Sequence, residues 1–230
     1  MGALQTPPGL HHKLHKNGFR SIPERTRRVY DLLATVYPLS TMFFHSQAHK
    51  VAISLSGIQD GMRVLEVATG SGEMFRRIAR SNPGGVTCGI DLAPNMAART
   101  QRVARMRMPG IRAHCQAVDA RSMPFRDGAF DAVVCCYLLE LLGEEDIVRT
   151  LNEMHRVLRP RGRLALVLIG EQLPAFNAWY RFISSLAPAF LGRQVESCIP
   201  EIMENCDFRL EHDRQVRQGC YPSRVVIARK

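Results

Sequence analysis

The chain of 230 residues has the length of one ordinary domain with a small appended element, which excludes two large domains. Hydrophobic residues make up 46% and charged residues 23%, which excludes a disordered chain. No uncharged apolar run reaches the roughly 18 residues of a membrane-spanning helix. The formal net charge of +10 favours contact with nucleic acid or anionic lipid, but a GC-rich genome produces the same arginine-rich composition.

The seven cysteines are irregularly spaced and include no C-x-x-C pair. Their odd number and spacing predict neither a disulfide framework nor a zinc site, so we expect no bound metal. The basic N-terminal region lacks the apolar stretch of a secretory signal. Together these features predict a protein of the reducing cytoplasm.

Helical spacing of apolar residues from about residue 24 to residue 56 predicts a helical N-terminal lid that is broken at Pro38. Short apolar runs then alternate with helical patterns. Five strands are predicted, over residues 63–67, 86–91, 111–117, 130–137 and 162–169. Helices are predicted through residues 75–79, 94–106 and 144–158.

The last part of the chain changes pattern. Residues 172–187 and 198–205 are predicted to be helical, and residues 208–216 and 224–229 form two strands around a Gly/Pro turn. These elements predict an α/β fold, a doubly wound and mostly parallel seven-stranded sheet that ends in an antiparallel hairpin. We divide the chain into a basic tail and lid (1–56), a ligand-binding core (57–170) and lid helices with the hairpin (171–230).

The turn after the first strand contains the first chemical signal. Gly70 and Gly72 let the backbone pass close to a ligand, and Asp91 ends the second strand, where a carboxylate can accept both hydroxyls of a ribose. Glu66 and Glu73 make the turn acidic. The turn would therefore repel a pyrophosphate and attract a ligand that carries an ammonium or sulfonium group.

Five segments in this order resemble the motifs of class I S-adenosylmethionine-dependent methyltransferases: residues 64–73, 90–96, 119–125, 130–131 and 153–164. The resemblance covers about residues 60–170 and is greatest to the ubiquinone and menaquinone biosynthesis (UbiE-like) C-methyltransferases. It implies a Rossmann-like sheet and S-adenosyl-L-methionine as cofactor. Tyr37 and the pair His49-Lys50 match the tyrosine and the His-Arg of that family's N-terminal segment.

Carried over by position, the resemblance implies that Glu66 and the backbone of residues 68–72 hold the methionine portion and that Asp91 holds the ribose. The residues from Leu92 onward are implied to contact the adenine. The residues of all three groups are Glu66, Ala68, Thr69, Gly70, Ser71, Gly72, Asp91, Leu92, Met96, Asp119 and Ala120. Structural alternatives stay open for three of them. Asp91 is also placed to cap a helix before Pro94, Asp119 to lie in a solvated turn, and Met96 to fill the core.

The sequence departs from the family at four positions. Glu66 replaces the usual Asp, and Thr69 replaces a Gly of the turn, so Thr69 needs a negative φ or carries strain. Arg161 replaces a Gly in the turn expected before the fifth strand. Pro38 stands where the quinone enzymes have Asp, which leaves the acceptor open.

The sulfonium already activates the methyl group, so the enzyme chiefly aligns the acceptor and excludes water. Tyr37 and His49 are our first candidates for a catalytic base, and His45 and Glu140 are further candidates. Aromatic residues in both flanking segments favour a small hydrophobic or amphiphilic acceptor, such as a quinol precursor, a lipid amine, a thiol or a secondary metabolite.

Two other functions are weighed against this one. RNA methylation would use the positive charge, although the loop after the fourth strand lacks an Asn/Asp-Pro-Pro-Tyr pattern, and we expect no specific nucleic acid partner. A non-catalytic scaffold is the second alternative. The apolar lid and the basic exterior favour peripheral contact with an anionic membrane, and the sequence leaves the oligomeric state open.

Overall fold

The computed structural model describes residues 46–170, 195–217 and 222–230. Most of the N-terminal lid, including Tyr37, the helix predicted over 172–187 and the tip of the hairpin lie outside them. The helices are α1 (Ser46–Ser56), α2 (Glu73–Ser81), α3 (Pro94–Arg107), α4 (Glu144–Val157) and α5 (Ile199–Asn205), with a 3-10 turn at Leu139–Leu141. None of the helices in these described ranges combines the length and the apolar character needed to cross a bilayer.

The strands are β1 (Arg63–Val67), β2 (Val86–Asp91), β3 (Ala113–Ala117), β4 (Phe130–Cys136), β5 (Leu158–Ile169), β6 (Arg209–Val216) and β7 (Ser223–Arg229). They form one sheet in the order β3-β2-β1-β4-β5-β7-β6. Neighbours among β1 to β5 are parallel, whereas β7 runs antiparallel to both β5 and β6. The predicted seven-stranded sheet with a C-terminal antiparallel hairpin is confirmed.

Strand β5 begins four residues earlier than predicted. Leu158 pairs with Phe130, and after an irregularity the ladder resumes with Arg163 opposite Ala132. The turn expected before the strand is therefore an irregularity within it, where Arg161 has a φ of 66°. The Arg161 N–H donates to the Lys230 carbonyl 3.2 Å away, so contact with the C-terminus accompanies a conformation that glycine adopts more easily.

Alternate residues of the central strands face two different layers of helices. Val64 packs with Ala52 of α1 and Ile78 of α2 on one face, whereas Leu65 packs with Leu151 of α4 on the other. The side chains are completely buried, as expected for a parallel sheet covered on both faces. This doubly wound arrangement brings the carboxyl ends of β1, β2 and β4 to one edge, where ligands bind in such folds.

Candidate active site

The turn after β1 contains three residues in the left-handed region. Ala68 has a φ of 62°, Gly70 of 47° and Gly72 of 73°, whereas Thr69 is not among the residues with positive φ. The strain considered for Thr69 therefore falls on Ala68 instead. Thr69 is held by its N–H, which donates to the Ile90 carbonyl 3.1 Å away, and its methyl group packs against Gly89, where a Cβ would lie 2.6 Å from it.

Gly72 is required by two independent constraints. It precedes α2 with a left-handed backbone, and a Cβ at this position would lie 2.6 Å from the Thr100 Oγ1 of α3. Any larger residue would be strained and would push α3 away from the turn. The second glycine thus sets the spacing between α2 and α3 at this edge of the sheet.

The structure brings Asp91 to the glycine turn. Its Oδ2 accepts a hydrogen bond from the Gly70 N–H at 2.7 Å, and its Oδ1 accepts one from the Ala93 N–H at 2.9 Å. The residue that caps α3 is Ala93, and no side-chain hydrogen bond caps that helix. Asp91 therefore links the end of β2 to the turn, and it does not serve as the N-cap residue of α3.

Glu66 is a buried acid near the end of β1, with only 1% of its surface exposed. Burial raises the pKa of its carboxyl well above the usual range, the negative charge of Asp91 raises it further, and Arg76 opposes the shift. Its Oε2 is shielded from water and has no hydrogen-bond partner among the described residues. A buried acidic oxygen without a donor fits an ammonium group, so this residue suits the methionine end of the cofactor.

Two apolar residues implied for the adenine lie at different depths. Leu92 directly follows β2 and is 39% exposed, which is unusual for a large hydrophobic residue within the described ranges. Met96 lies in the first turn of α3 and is only 1% exposed. The surface available to an adenine ring is therefore that of Leu92, and the burial of Met96 agrees with its alternative role in the core.

Asp119 follows β3 and is organised by a residue that sequence reasoning missed. The Arg121 guanidinium donates to both Asp119 oxygens, at 2.7 Å to Oδ2, and the Arg121 backbone N–H donates to Oδ1 at 2.9 Å. The hydrogen bonds from Arg121 hold the pKa of Asp119 below its usual range, although burial opposes them. Arg121 also reaches Asp146 at 3.1 Å, so it fixes this turn and the neighbouring Ala120 against α4. An arginine two residues after the acid was the available signal.

Tyr137 follows the central strand β4 at the same edge of the sheet. It has a left-handed φ of 54°, and its N–H donates to the Val167 carbonyl at 2.8 Å. Its hydroxyl and the Ser223 hydroxyl share a hydrogen bond of 2.8 Å. The ring of His49, a buried residue of α1, lies 6.3 Å from the Tyr137 ring. Of the two candidate bases, His49 thus lies beside Tyr137, and Tyr37 lies outside the described residues.

Glu140 is a second buried acid at this edge, 2% exposed on the 3-10 turn after β4. Its Oε1 accepts the Ile169 N–H at 2.7 Å, which ties the ends of β4 and β5 together. Burial raises the pKa of the carboxyl to about 7, against the hydrogen bonds that favour the charged form. Its Oε2 has no partner within the described ranges, and a pKa of about 7 means that the carboxyl ionises near neutral pH.

Comparison with known proteins places this site in a family. The sequence model described as "Methyltransferase domain" matches residues 64–162. A ubiquinone/menaquinone biosynthesis C-methyltransferase UbiE from Bordetella avium is 31% identical over 194 residues, which cover 77% of this chain and 72% of that protein. A demethylmenaquinone methyltransferase from Thermus thermophilus is 36% identical over 143 residues, which cover 61% and 63%.

The solved structures agree at the level of the fold. The crystal structure of the [4+2]-cyclase SpnF superimposes with a TM-score of 0.74 at 18% identity, over 93% of this chain and 97% of that one. A cyclase on the same fold means that the fold does not define the reaction, so the identification depends on the sequence relatives. The chain belongs to the class I S-adenosylmethionine-dependent methyltransferases, within which it resembles the UbiE-like enzymes, and it uses S-adenosyl-L-methionine as its cofactor.

Proposed function

We propose that the chain transfers the methyl group of S-adenosylmethionine to a small hydrophobic or amphiphilic acceptor at the carboxyl edge of β4. Two relatives support an acceptor of this class, since their names specify 2-phytyl-1,4-naphtoquinone and demethylmenaquinone as substrates. A quinol precursor is therefore the first acceptor to test, ahead of a lipid amine, a thiol or another secondary metabolite.

The conformation of Tyr137 is the observation that carries this proposal. A non-glycine residue in the left-handed region costs about 1–2 kcal/mol, and such strain concentrates at functional sites. Here it fixes a phenol at the end of the central strand, with its hydroxyl anchored to Ser223 and an imidazole nearby. An aromatic ring with a fixed hydroxyl suits an apolar acceptor with a polar substituent.

In the proposed arrangement the cofactor lies across the ends of β1, β2 and β3. The Glu66 carboxylate receives the methionine ammonium, and the Asp91 carboxylate receives the ribose hydroxyls. Leu92 packs on the adenine, and Asp119 and Ala120 approach its amino group. The complete set comprises Glu66, Ala68, Thr69, Gly70, Ser71, Gly72, Asp91, Leu92, Met96, Asp119 and Ala120, with Met96 supporting Leu92 from the core.

His49 and Tyr37 are the proposed bases, needed only where the acceptor must lose a proton before it attacks the methyl group. His49→Gln should reduce turnover while leaving cofactor affinity unchanged. Lys50→Gln, at the exposed neighbouring position of the same helix, is the matched control and should leave both unchanged. Tyr37→Phe keeps the ring and removes only the hydroxyl. Full activity in both His49→Gln and Tyr37→Phe would exclude them as bases.

We also propose separate roles for the three segments of the chain. We assign residues 57–170 to the cofactor and the flanking segments 1–56 and 171–230 to the acceptor. The packing of α1 against β5 and β7, on the Tyr137 side of the sheet, supports this assignment. Removal of residues 1–45 should abolish transfer and preserve cofactor binding, whereas unchanged transfer would restrict the acceptor site to the remaining chain.

The acceptor class is tested by incubating the protein and methyl-labelled cofactor with separate small-molecule, lipid and RNA fractions of a cell extract. A demethylmenaquinol solubilised in detergent is the defined acceptor to include. Label in the small-molecule or lipid fraction supports the proposal, and label confined to RNA overturns it. Absence of label from every fraction and from the defined acceptor, with intact cofactor binding, favours the non-catalytic scaffold.

A further inference from the structure

The arginines on one side of the molecule have few acidic neighbours. From residue 74 to residue 112 the sequence contains eight arginines and a single acid, Asp91. Elsewhere in the described ranges seven of thirteen arginines form an ion pair with a described acid, as Arg156 does with Glu153 and Asp127. In α2, in α3 and just before β3, by contrast, no described acid forms an ion pair with the following residues: Arg76, Arg80, Arg99, Arg102, Arg105, Arg107 and Arg112.

Three of these cations act on a fourth, Arg76, across α2 and α3. Burial lowers the pKa of the Arg76 guanidinium, Glu73 opposes this shift, and the positive charges of Arg107, Arg80 and Arg99 lower the pKa further. Mutually repelling cations are stabilised by an anion that approaches their exposed ends.

An apolar groove of about 640 Å³ adjoins this basic face, between α3 and the edge strand β3. Alanines form much of its wall, whereas arginines and Met106 lie toward the end of α3. Met106 is 74% exposed, and it stands among exposed arginines. The residues that α3 contributes to the groove include Pro94, Ala97, Ala98, Arg102, Arg105 and Met106.

We propose that the outer face of α2 and α3, together with this groove, docks on the surface of an anionic phospholipid bilayer. Arginine guanidinium groups bind phosphate, and each basic side chain near an anionic surface adds to the affinity. The exposed Met106 and the apolar groove suit the boundary between headgroups and acyl chains.

The same observations fit nucleic acid less well. Phe75 is the only Phe, Tyr or Trp between residues 73 and 117, and it is fully buried, so the exposed imidazole of His114 is the only aromatic ring that these residues offer to a base. An exposed methionine also contributes nothing to binding a phosphate backbone. This inference does not depend on the identity of the methyl acceptor, because binding alone tests it.

The test uses the full chain and vesicles in a sedimentation assay. We expect binding to vesicles of phosphatidylcholine with about 30% phosphatidylglycerol, weakening as salt is raised, and little binding to phosphatidylcholine alone. The variant Arg102→Glu/Arg105→Glu removes two cations from the face and should lower the affinity about 30-fold or more. The control Arg126→Glu/Arg217→Glu makes the same charge change at exposed sites outside this face and should have less than about a threefold effect.

Met106→Ser completes the test, since it should weaken vesicle binding several-fold and leave binding to an RNA duplex unchanged. All variants should retain the melting temperature and cofactor affinity of the parent protein. Equal losses in the two double variants would show that net charge alone matters and would overturn the proposal. Unchanged vesicle binding in Arg102→Glu/Arg105→Glu would also overturn the proposal. The same holds if the parent protein prefers RNA to vesicles and this variant loses that preference.

Discussion

The carboxylate of Asp91 lies 2.7 Å from the Gly70 N–H, so the last residue of β2 is joined directly to the turn that follows β1. The second carboxylate oxygen accepts the Ala93 N–H on the chain leaving β2. One side chain thereby holds the two backbone segments between which the proposed cofactor site lies.

Asp91→Ala removes the proposed ribose acceptors and leaves two backbone donors without their partner. We expect cofactor affinity to fall by about 1–3 kcal/mol, with some loss of stability in the free protein. Asp91→Asn keeps one acceptor oxygen, so its cofactor affinity should lie between those of the parent protein and of Asp91→Ala. Calorimetric titration with S-adenosylhomocysteine and urea unfolding measure the two effects. Unchanged affinity in the alanine variant would restrict Asp91 to a structural role.

Glu66→Gln should separate stability from binding. The folded-state pKa is raised, so the native protein retains a proton that the unfolded chain loses, and native stability falls as pH rises above about 4.5. Glutamine removes this penalty, and the free variant should therefore be the more stable protein at pH 8. Cofactor affinity should fall by roughly 1.5–3 kcal/mol, because the ammonium loses its counter-charge.

A truncated ligand provides the control for Glu66. Methylthioadenosine keeps the adenosine and lacks the amino-acid portion, so its affinity should be the same for Glu66→Gln and the parent protein. If both ligands lose affinity equally, the substitution has disturbed the turn as a whole and the assignment to the ammonium is wrong.

Gly72→Ala should destabilise the protein more than Gly110→Ala. Both glycines have positive φ, at 73° and 86°, but a Cβ at Gly110 meets no atom within 4 Å. Backbone strain alone costs about 1–2 kcal/mol at Gly110, whereas Gly72→Ala also forces Thr100 to move, for about 1–3 kcal/mol more. Adding Thr100→Ala to Gly72→Ala should restore the stability lost through the clash with Thr100, but not the stability lost through backbone strain. Urea unfolding of the single and double variants gives the comparison.

Glu140→Gln should change the pH dependence of stability. The folded carboxyl has a pKa of about 7 against an ordinary value of 4.5, so the parent protein loses stability as pH rises between these values. Relative to the parent protein, the free energy of unfolding of the variant should be higher by up to about 3 kcal/mol at pH 8 and little changed at pH 4. Equal pH profiles would mean that the carboxyl ionises normally.

Local pattern was sufficient for the elements that begin and end within a continuous apolar run. Strands β1 and β2 have the predicted bounds, because the buried run of β1 stops just before the glycine turn and that of β2 stops at Asp91. The start of β5 could not be predicted in the same way. It depends on an irregular pairing with β4 and on a contact of Arg161 with the C-terminal Lys230, far away along the chain.

The same distinction between local pattern and long-range contact applies to the residues of the site. Asp91 and Glu66 were accessible to sequence reasoning, because strand ends and a glycine turn fix their place. The pairing of Arg121 with Asp119 and the anchoring of Tyr137 by Ser223 depend on side-chain geometry. Ser223 lies 86 residues from Tyr137, so no local pattern could have joined them.

The unsatisfied oxygen of Glu66 has a consequence for how the cofactor is taken up. Burial raises the pKa of this carboxyl and so favours its protonated form in the free protein, whereas an arriving ammonium favours its charged form. Entry of the cationic ligand therefore promotes release of a proton to solvent. Cofactor affinity would rise with pH, and the heat of binding would depend on the ionisation enthalpy of the buffer.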